Sequence, residues 1–242
     1  MRVAIIGGGA AGFFSAFSVK EHHLNASITI FEKSHKLLSK VKVSGGGRCN
    51  VTHACFSPSK LSKSYPRGQK HLKKLFSEFQ TKDTVKWFSR RGVELKEEKD
   101  GRMFPITDSS QTIIDCFLKE AALKSIKITK QSPVTKIVPE EKGYRLHLDG
   151  TSQHFDKVIV ATGGNPKMSG FYWLQKLGHS ISPPLPSLFT FNIPGDKVKI
   201  LMGLVVENAT VRIQGTKLSH SGPVLITHWG MSGPAILKLS AW

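Results

Sequence analysis

Three glycines at positions 7, 9 and 12 leave this chain few folds to choose from. Arg2–Ile6 before them is a short β-branched run that reads as a buried strand. Ala10–Glu21 after them reads as a helix, with Phe13, Phe14 and Phe17 at apolar spacing. A strand that enters a glycine turn and leaves as a helix opens a parallel βαβ unit. In Gly7-x-Gly9-x-x-Gly12 the first glycine permits the tight turn and the second lets the backbone approach a pyrophosphate. The third allows helix and strand to pack closely, and the helix N-terminus then presents unpaired N–H groups to phosphate. Ile28–Glu32 supplies the next strand, and Glu32 falls twenty residues beyond Gly12, where a carboxylate can accept hydrogen bonds from ribose hydroxyls. The same charge repels a ribose 2′-phosphate, so the nucleotide expected here carries a free ribose. The pattern predicts an α/β, Rossmann-like domain that binds a dinucleotide.

At 242 residues the chain has room for one large domain, or for one domain and part of a second. Its 39% hydrophobic and 21% charged residues are ordinary globular composition. No window reaches about 18 uninterrupted apolar residues, so no transmembrane helix is expected. Met1-Arg2 and the apolar stretch after it resemble the start of a signal peptide, but Gly7–Gly9 interrupt its helix and no clear cleavage site follows. The three cysteines, Cys49, Cys55 and Cys116, include no CxxC, so neither a disulfide framework nor a metal site is indicated. A cytoplasmic location is expected, where sequons at Asn25, Asn50 and Asn208 carry no meaning. GxSxG, HExxH and Walker A patterns are absent, which leaves hydrolase and NTPase readings unsupported.

Residues 33–66 lack periodicity and contain a triple glycine at 45–47, the profile of a long functional loop. Helices are expected over Gln69–Phe79 and Lys82–Arg91, the second capped by Thr81 and ended by Gly92. Val93–Ile106 reads as a hairpin turning at Asp100-Gly101. Ser109 or Ser110 caps a helix through Leu123. Strands follow at Ile126–Thr129, Val134–Val138, Tyr144–Leu148 and Lys157–Ala161, the last apolar enough for a strand covered on both faces. Prolines at 183, 184, 186 and 194 mark a change in composition, and short strand-like runs follow at Leu188–Ile193, Leu204–Val206, Ala209–Ile213 and Val224–Thr227. These divide the chain into a dinucleotide-binding domain over 1–187 and the start of an inserted β-rich domain over 188–242.

The net charge of +18 raises the question of a nucleic-acid partner. Eleven Lys/Arg and no Asp or Glu fall between Lys33 and Ser77. No zinc-finger spacing, RNA-recognition signature or basic-region heptad accompanies them. The preferred reading is a solvated basic face that includes an anion site, with a nucleic-acid-binding module as the alternative.

Both NAD and FAD satisfy the glycine fingerprint. An NAD dehydrogenase would continue with alternating strands and helices. Here a basic glycine loop is followed by a strand meander that ends in Ala161-Thr162-Gly163-Gly164. That order is the arrangement of FAD-binding domains of the glutathione-reductase class. The stretch Lys40-Val-Lys-Val-Ser44-Gly45-Gly46-Gly47-Arg48-Cys49-Asn50-Val51-Thr52 closely resembles the signature of the BaiN-like flavoproteins, the aminoacetone-oxidase-like NAD(P)/FAD-dependent oxidoreductases. The resemblance extends through Asp100–Pro105, Ala161–Gly164, Pro184–Phe189 and Thr227–Pro234.

The resemblance implies FAD as cofactor, NAD(P)H as a transient reductant and a small organic substrate. It implies that Gly7, Gly9, Ala10, Ala11 and Gly12 line the pyrophosphate, and that Glu32 and Lys33 meet the adenosine ribose. Lys40 and the Ser44, Gly45 and Gly46 backbone would approach the phosphates or the flavin, with Arg48 and Asn50 on the same loop. Val134 would meet adenine through main-chain groups, and Thr162 and Gly163 would close over the cofactor. Arg48 has an equal alternative as an ion-pair residue holding its loop. Cys49 reads as a buried structural cysteine, and His228 and Trp229 as a strand end. No catalytic acid or base can be named. Family chains run on well past this length, and Pro234–Trp242 opens a helix where the chain stops, so a truncated flavoprotein without activity is a further expectation.

Overall fold

A computed structural model describes residues 1–242. Its contacts separate two units, one of Met1–Asn165 with Ser169–Ile181 and one of Pro166–Met168 with Ser182–Trp242.

In the first unit β1 (Arg2–Ile6) and β2 (Ser27–Phe31) lie parallel, joined through α1 (Ala10–His22). Alternation along the strands sends Val3, Ile5, Ile28 and Ile30 into one core, with Phe13, Ala16 and Phe17 of α1. Ala4, Ile6 and Phe31 enter a second core with Ile137, Leu146 and Phe155. A sheet buried on both faces needs strands with little exposed polar surface; β1 is apolar from Val3 to Ile6, and the one polar residue inside β2, Thr29, is itself buried.

The segment expected as a loop contains short elements: α2 (Ser39–Val43), a 3-10 turn over Ser44–Gly47, β3 (Thr52–His53) and α3 (Pro58–Ser62). Elements of two to five residues are too short to show a period in sequence. Next come α4 (Gln69–Glu78) and α5 (Thr81–Ser89). Thr81 is not the cap of α5 but its first residue; Gln80 holds the cap position, and its amide donates to Asp83 at 3.0 Å. The Thr81 hydroxyl is engaged elsewhere, donating to the Cys55 carbonyl at 2.7 Å. The hairpin of β4 (Leu95–Glu97) and β5 (Arg102–Pro105) turns at Gly101 as expected, and β3 joins it. Ser109 caps α6 (Ser110–Leu123) by accepting from the Gln111 amide at 3.3 Å. Trp87 of α5 and Phe117 of α6 pack edge-to-face at 5.6 Å, closing the first core over α1.

β6 (Lys127–Thr129) adds to β2, again parallel. An antiparallel meander follows, β7 (Lys136–Glu140), β8 (Gly143–Leu148) and β9 (Thr151–Phe155). β9 goes unread in the sequence because only its last residue, Phe155, is buried. β10 (Lys157–Val160) returns to pair parallel with β1, giving the order β10-β1-β2-β6. It is covered on both faces as expected, but only in part. β10 is an edge strand, Val158 and Ile159 are half-buried on opposite layers, and Val160 is 39% exposed. A short helix, α7 (Tyr172–Gln175), completes the unit.

The second unit is an antiparallel sheet. Its strands are β11 (Phe191–Asn192), β12 (Val205–Arg212), β13 (Ser219–Ile226) and β14 (Gly230–Ser232), in the order β11-β14-β13-β12. The runs Leu204–Val206 and Ala209–Ile213 are one strand, β12, whose register shifts between Val206 and Ala209. α8 (Pro234–Leu239) lays Ala235 and Ile236 against Val224 of β13.

Candidate functional site

Because β1, β2, β6 and β10 are parallel, the loops after them leave the sheet on one side. Those loops carry Gly7–Gly9, Glu32–Lys33, Val134 and Thr162–Gly163. β2 and β6 lie to one side of β1 and β10 to the other, so the connections diverge at the carboxyl end of β1. Divergence at that point opens a crevice in sheets of this kind.

The three fingerprint glycines are not equivalent. Gly7 has φ +117°, donates its amide to the Phe31 carbonyl at 2.8 Å, and would place a Cβ 2.4 Å from the Ala161 oxygen. A Cβ on Gly12 would sit 1.9 Å from the Gly7 oxygen. The protein itself therefore excludes any side chain at both positions. Gly9 has φ −92°, open to any residue, and no atom of the protein lies within 4 Å of where its Cβ would be. Its lack of a side chain preserves a space in front of α1. No side chain caps α1, its first turn carries no acid, and Ala10 and Ala11 are exposed. The amides of this turn are thus available to an anion.

Glu32 has a role the fingerprint does not reveal. Its Oε2 accepts from the Gly8 amide at 2.8 Å and its Oε1 from the Ser34 amide at 2.9 Å. Burial pushes its pKa up, but the Ser34 and Gly8 amides, the Ser34 hydroxyl and the Lys33 charge outweigh burial and hold it below its ordinary value. The carboxylate is ionised at neutral pH and ties the glycine loop to the end of β2, with lone pairs left for a ribose. Ser132 and Gln131 donate their amides to the Glu32 and Ser34 carbonyls at 2.9 and 3.1 Å, which fixes the loop carrying Val134 to the same segment. The Val134 side chain packs on the second core.

On the other flank the Lys40 ammonium approaches Gly163, 3.4 Å from the place of a Cβ there. Lys40, Ala10, Ala11, Ser44 and Asn50 border a cavity of about 450 Å³. Its remaining wall is largely apolar, with Phe14, Phe79, Phe88 and Phe117 among its lining. This wall was missed in the sequence; the one available signal was Phe14, an aromatic residue turned off the Phe13–Phe17 face of α1. The structure thus gathers the fingerprint glycines, Glu32, Lys40, Ser44, Asn50, Thr162 and Gly163 around one end of the sheet, with Lys33 exposed beside Glu32.

Gly45 and Gly46 form a left-handed bend, φ +57° and +68°. A Cβ on Gly45 would lie 2.7 Å from the Phe104 ring, whereas Gly46 faces open space. Arg48 acts on this bend from behind. Its guanidinium pairs with Glu98 at 2.5 Å and Asp108 at 3.4 Å, and lies 4.0 Å over the Phe104 ring. Cys49 is buried, and burial raises its thiol pKa against a hydrogen bond from Ser44. It lines the same cavity, and a thiol held protonated by burial is a weak nucleophile. In the second unit the Trp229 indole donates to the Thr190 hydroxyl at 3.1 Å and meets the His228 ring edge-on, a local structural contact.

The chain is 27% identical over 247 aligned positions to the ribosomal RNA dihydrouridine synthase of Escherichia coli K12, covering 98% of this chain and 60% of that protein. It is 25% identical over 247 positions to the 3-dehydro-bile acid delta(4,6)-reductase of Clostridium scindens, covering 99% and 59%. The chain therefore spans about three fifths of the length of the curated relatives it matches. Among solved structures, the open conformation of a flavocytochrome c3 fumarate reductase superposes with a TM-score of 0.58 at 19% identity, over 85% of this chain and 46% of that one. THI4 of Thermovibrio ammonificans gives 0.50 at 13%, over 74% and 62%. The α/β class and Rossmann-like fold expected from the glycine pattern, and the FAD-binding class expected from the segment order and the family resemblance, are those of the matching proteins. No helix is long and apolar enough to cross a membrane. The model of the HI0933-like protein Rossmann domain matches residues 1–235, and this chain belongs to that family.

Proposed function

We infer that residues 1–187 hold FAD for a flavin-dependent oxidoreductase, with residues 188–242 belonging to a β-rich domain. The observation that carries this reading is the space kept in front of Gly9, which neither backbone conformation nor packing requires. A diphosphate fits there, at the bare N-terminus of α1, with Lys40 to balance its charge. Glu32 and Lys33 hold the adenosine ribose, and the main chain at Val134 meets the adenine. Ser44, Gly45, Gly46 and Asn50 approach the far end of the cofactor, and Thr162 and Gly163 close beside Lys40. Arg48 supports the bend by fixing it to Glu98 and Asp108 rather than by touching the cofactor.

Bound FAD supplies the redox chemistry, a hydride exchanged at its ring. The chain's own residues orient the cofactor, neutralise its phosphates and exclude water along the aromatic wall. NAD(P)H is the proposed reductant. The substrate class is an organic molecule that accepts or donates a hydride. The names of the two relatives, one a ribosomal RNA dihydrouridine synthase and one a bile-acid reductase, are both compatible with it.

The test is titration of the purified chain with FAD, read by quenching of flavin fluorescence and by flavin retained after gel filtration. Saturable binding to wild type, lost in Gly9→Val without a change in melting temperature, supports the assignment. Binding of NAD in preference to FAD, or equal FAD binding by Gly9→Val, overturns it.

A further inference from the structure

α2 is a single helical turn of five residues, too short to hold its place alone, so bonds from outside decide where it lies. Two of these come from distant parts of the chain. At its start the Leu38 amide donates to the Gly8 carbonyl of the fingerprint loop at 2.9 Å. At its end the Lys42 carbonyl accepts from the Ser110 hydroxyl of α6, also at 2.9 Å. Ser110 is 1% exposed, so its hydroxyl has no water to turn to if that bond is lost.

The two serines at the head of α6 divide the work. Ser109 caps the helix by accepting from the Gln111 amide. Ser110, one residue on, reaches back across 68 residues to α2. The other carbonyls at the end of α2 are served locally. The Ser44 amide donates to the Lys40 and Val41 carbonyls, and the Ser44 hydroxyl donates to Val41. Gln111 adds to the clamp from the solvent side, accepting from the Lys42 ammonium at 3.0 Å. α2 is thus strung between the fingerprint loop and the first turn of α6.

What α2 carries is Lys40. Its ammonium joins none of the ion pairs of the protein. It stands beside Gly163 and borders the cavity that reaches Ala10 and Ala11. With no acid beside it, its position is set by the backbone that bears it. The attraction between this cation and a diphosphate falls with distance, so a turn that drifts weakens it.

We propose that Ser110 is a positioning residue: by holding the Lys42 carbonyl it keeps α2 where Lys40 reaches the diphosphate in front of α1. This role rests on the reading of the crevice as an FAD site.

The experiment is FAD titration of the whole chain by flavin fluorescence, at low salt and at about 1 M salt. Lys40→Gln weakens binding about tenfold at low salt and much less at high salt, where the charge it removes is screened. Ser110→Ala weakens binding about fivefold at low salt, with the same salt dependence. Added to Lys40→Gln it costs no more than about twofold, because the position matters only while the charge is there. Ser109→Ala is the control: it removes the cap of α6, a comparable loss of stability, and leaves FAD affinity within about twofold of wild type. In the flavin-free chain, hydrogen exchange at the Lys42 and Ser44 amides quickens in Ser110→Ala and not in Ser109→Ala. Wild-type affinity in Ser110→Ala, equal losses in the two serine variants, a Ser110→Ala loss that persists in full beside Lys40→Gln, or unchanged exchange would each overturn the proposal. A wild type that takes up no FAD sinks the FAD reading, and with it the task given to Lys40. A wild type that takes up FAD and gives any of those results sinks the role of Ser110 alone.

Discussion

The two glycine-rich bends of the first unit, at Gly7–Gly12 and at Gly45–Gly47, are held by different means. The first is fixed by backbone and packing: Gly7 against Ala161, Gly12 against Gly7, and the Glu32 carboxylate on the Gly8 amide. The second adds side chains to its backbone bonds: the Phe104 ring stands with the Asn50 amide against Gly45, and Arg48 pairs with Glu98 and Asp108. Backbone contacts of the first kind are indifferent to salt. Ion pairs of half-exposed side chains are screened by it. The first bend therefore behaves as a fixed frame, while the second can be adjusted by solvent conditions.

The sharpest way to break this contrast is Gly12→Val. Its side chain would meet the Gly7 carbonyl, which cannot move without shifting β1, and the expected loss is about 3 kcal/mol or more by denaturant melting. A variant within about 0.5 kcal/mol of wild type would show that the first bend is not a rigid frame. Gly45→Ala comes next, at about 2 kcal/mol, from a left-handed backbone and contact with the Phe104 ring at 2.7 Å and the Asn50 amide at 2.8 Å. Gly9→Ala sharpens the comparison from the other side. The melting curve stays within about 0.5 kcal/mol of wild type, while FAD binding falls about tenfold or more, some 1.4 kcal/mol.

Acid separates the bends further. The pKa of Glu32 is lowered in the folded protein, so its contribution is complete above the ordinary glutamate value of 4.5 and is lost as pH falls through the lower folded value. FAD affinity measured through that range should decline with it, and Glu32→Gln should remove the acid-dependent part. An unchanged profile in Glu32→Gln would assign the decline to other carboxylates. The smallest effect belongs to Glu98→Gln, a slight fall in melting temperature at low salt that disappears at about 1 M salt. No fall at low or high salt would mean that Arg48 holds its loop by packing on Phe104 instead of by charge.

What could be read in the sequence follows the same division. Long periodic segments were legible, α1 and α6 by their aromatic and aliphatic faces; β1 was legible by its apolar run and β2 by its β-branched residues. The crevice was legible through spacing alone, because a strand, a turn and a helix in fixed order leave the glycines one task each. β9 was hidden by a polar surface over a single buried residue, and the bulge in β12 disguised one strand as two. α2 and α3 were too short for a period to appear. The second function of Glu32 was out of reach, since the Gly8 amide it engages depends on where the loop after β1 lies over the end of β2. The pairing of Arg48 was equally hidden, because Glu98 and Asp108 lie fifty and sixty residues away in sequence.

The register shift in β12 has a bearing on solubility. β12 is eight residues long, forms the outer edge of its sheet, and exposes Val205 and Val206. A flat strand of that length invites a neighbouring molecule to extend the sheet, the first step toward fibres. The irregularity places Glu207 and Asn208 in the middle of the strand, where an incoming chain would have to keep its ladder unbroken. Such a chain would meet a carboxylate and a lost register after the two valines, and growth from this edge would stall there.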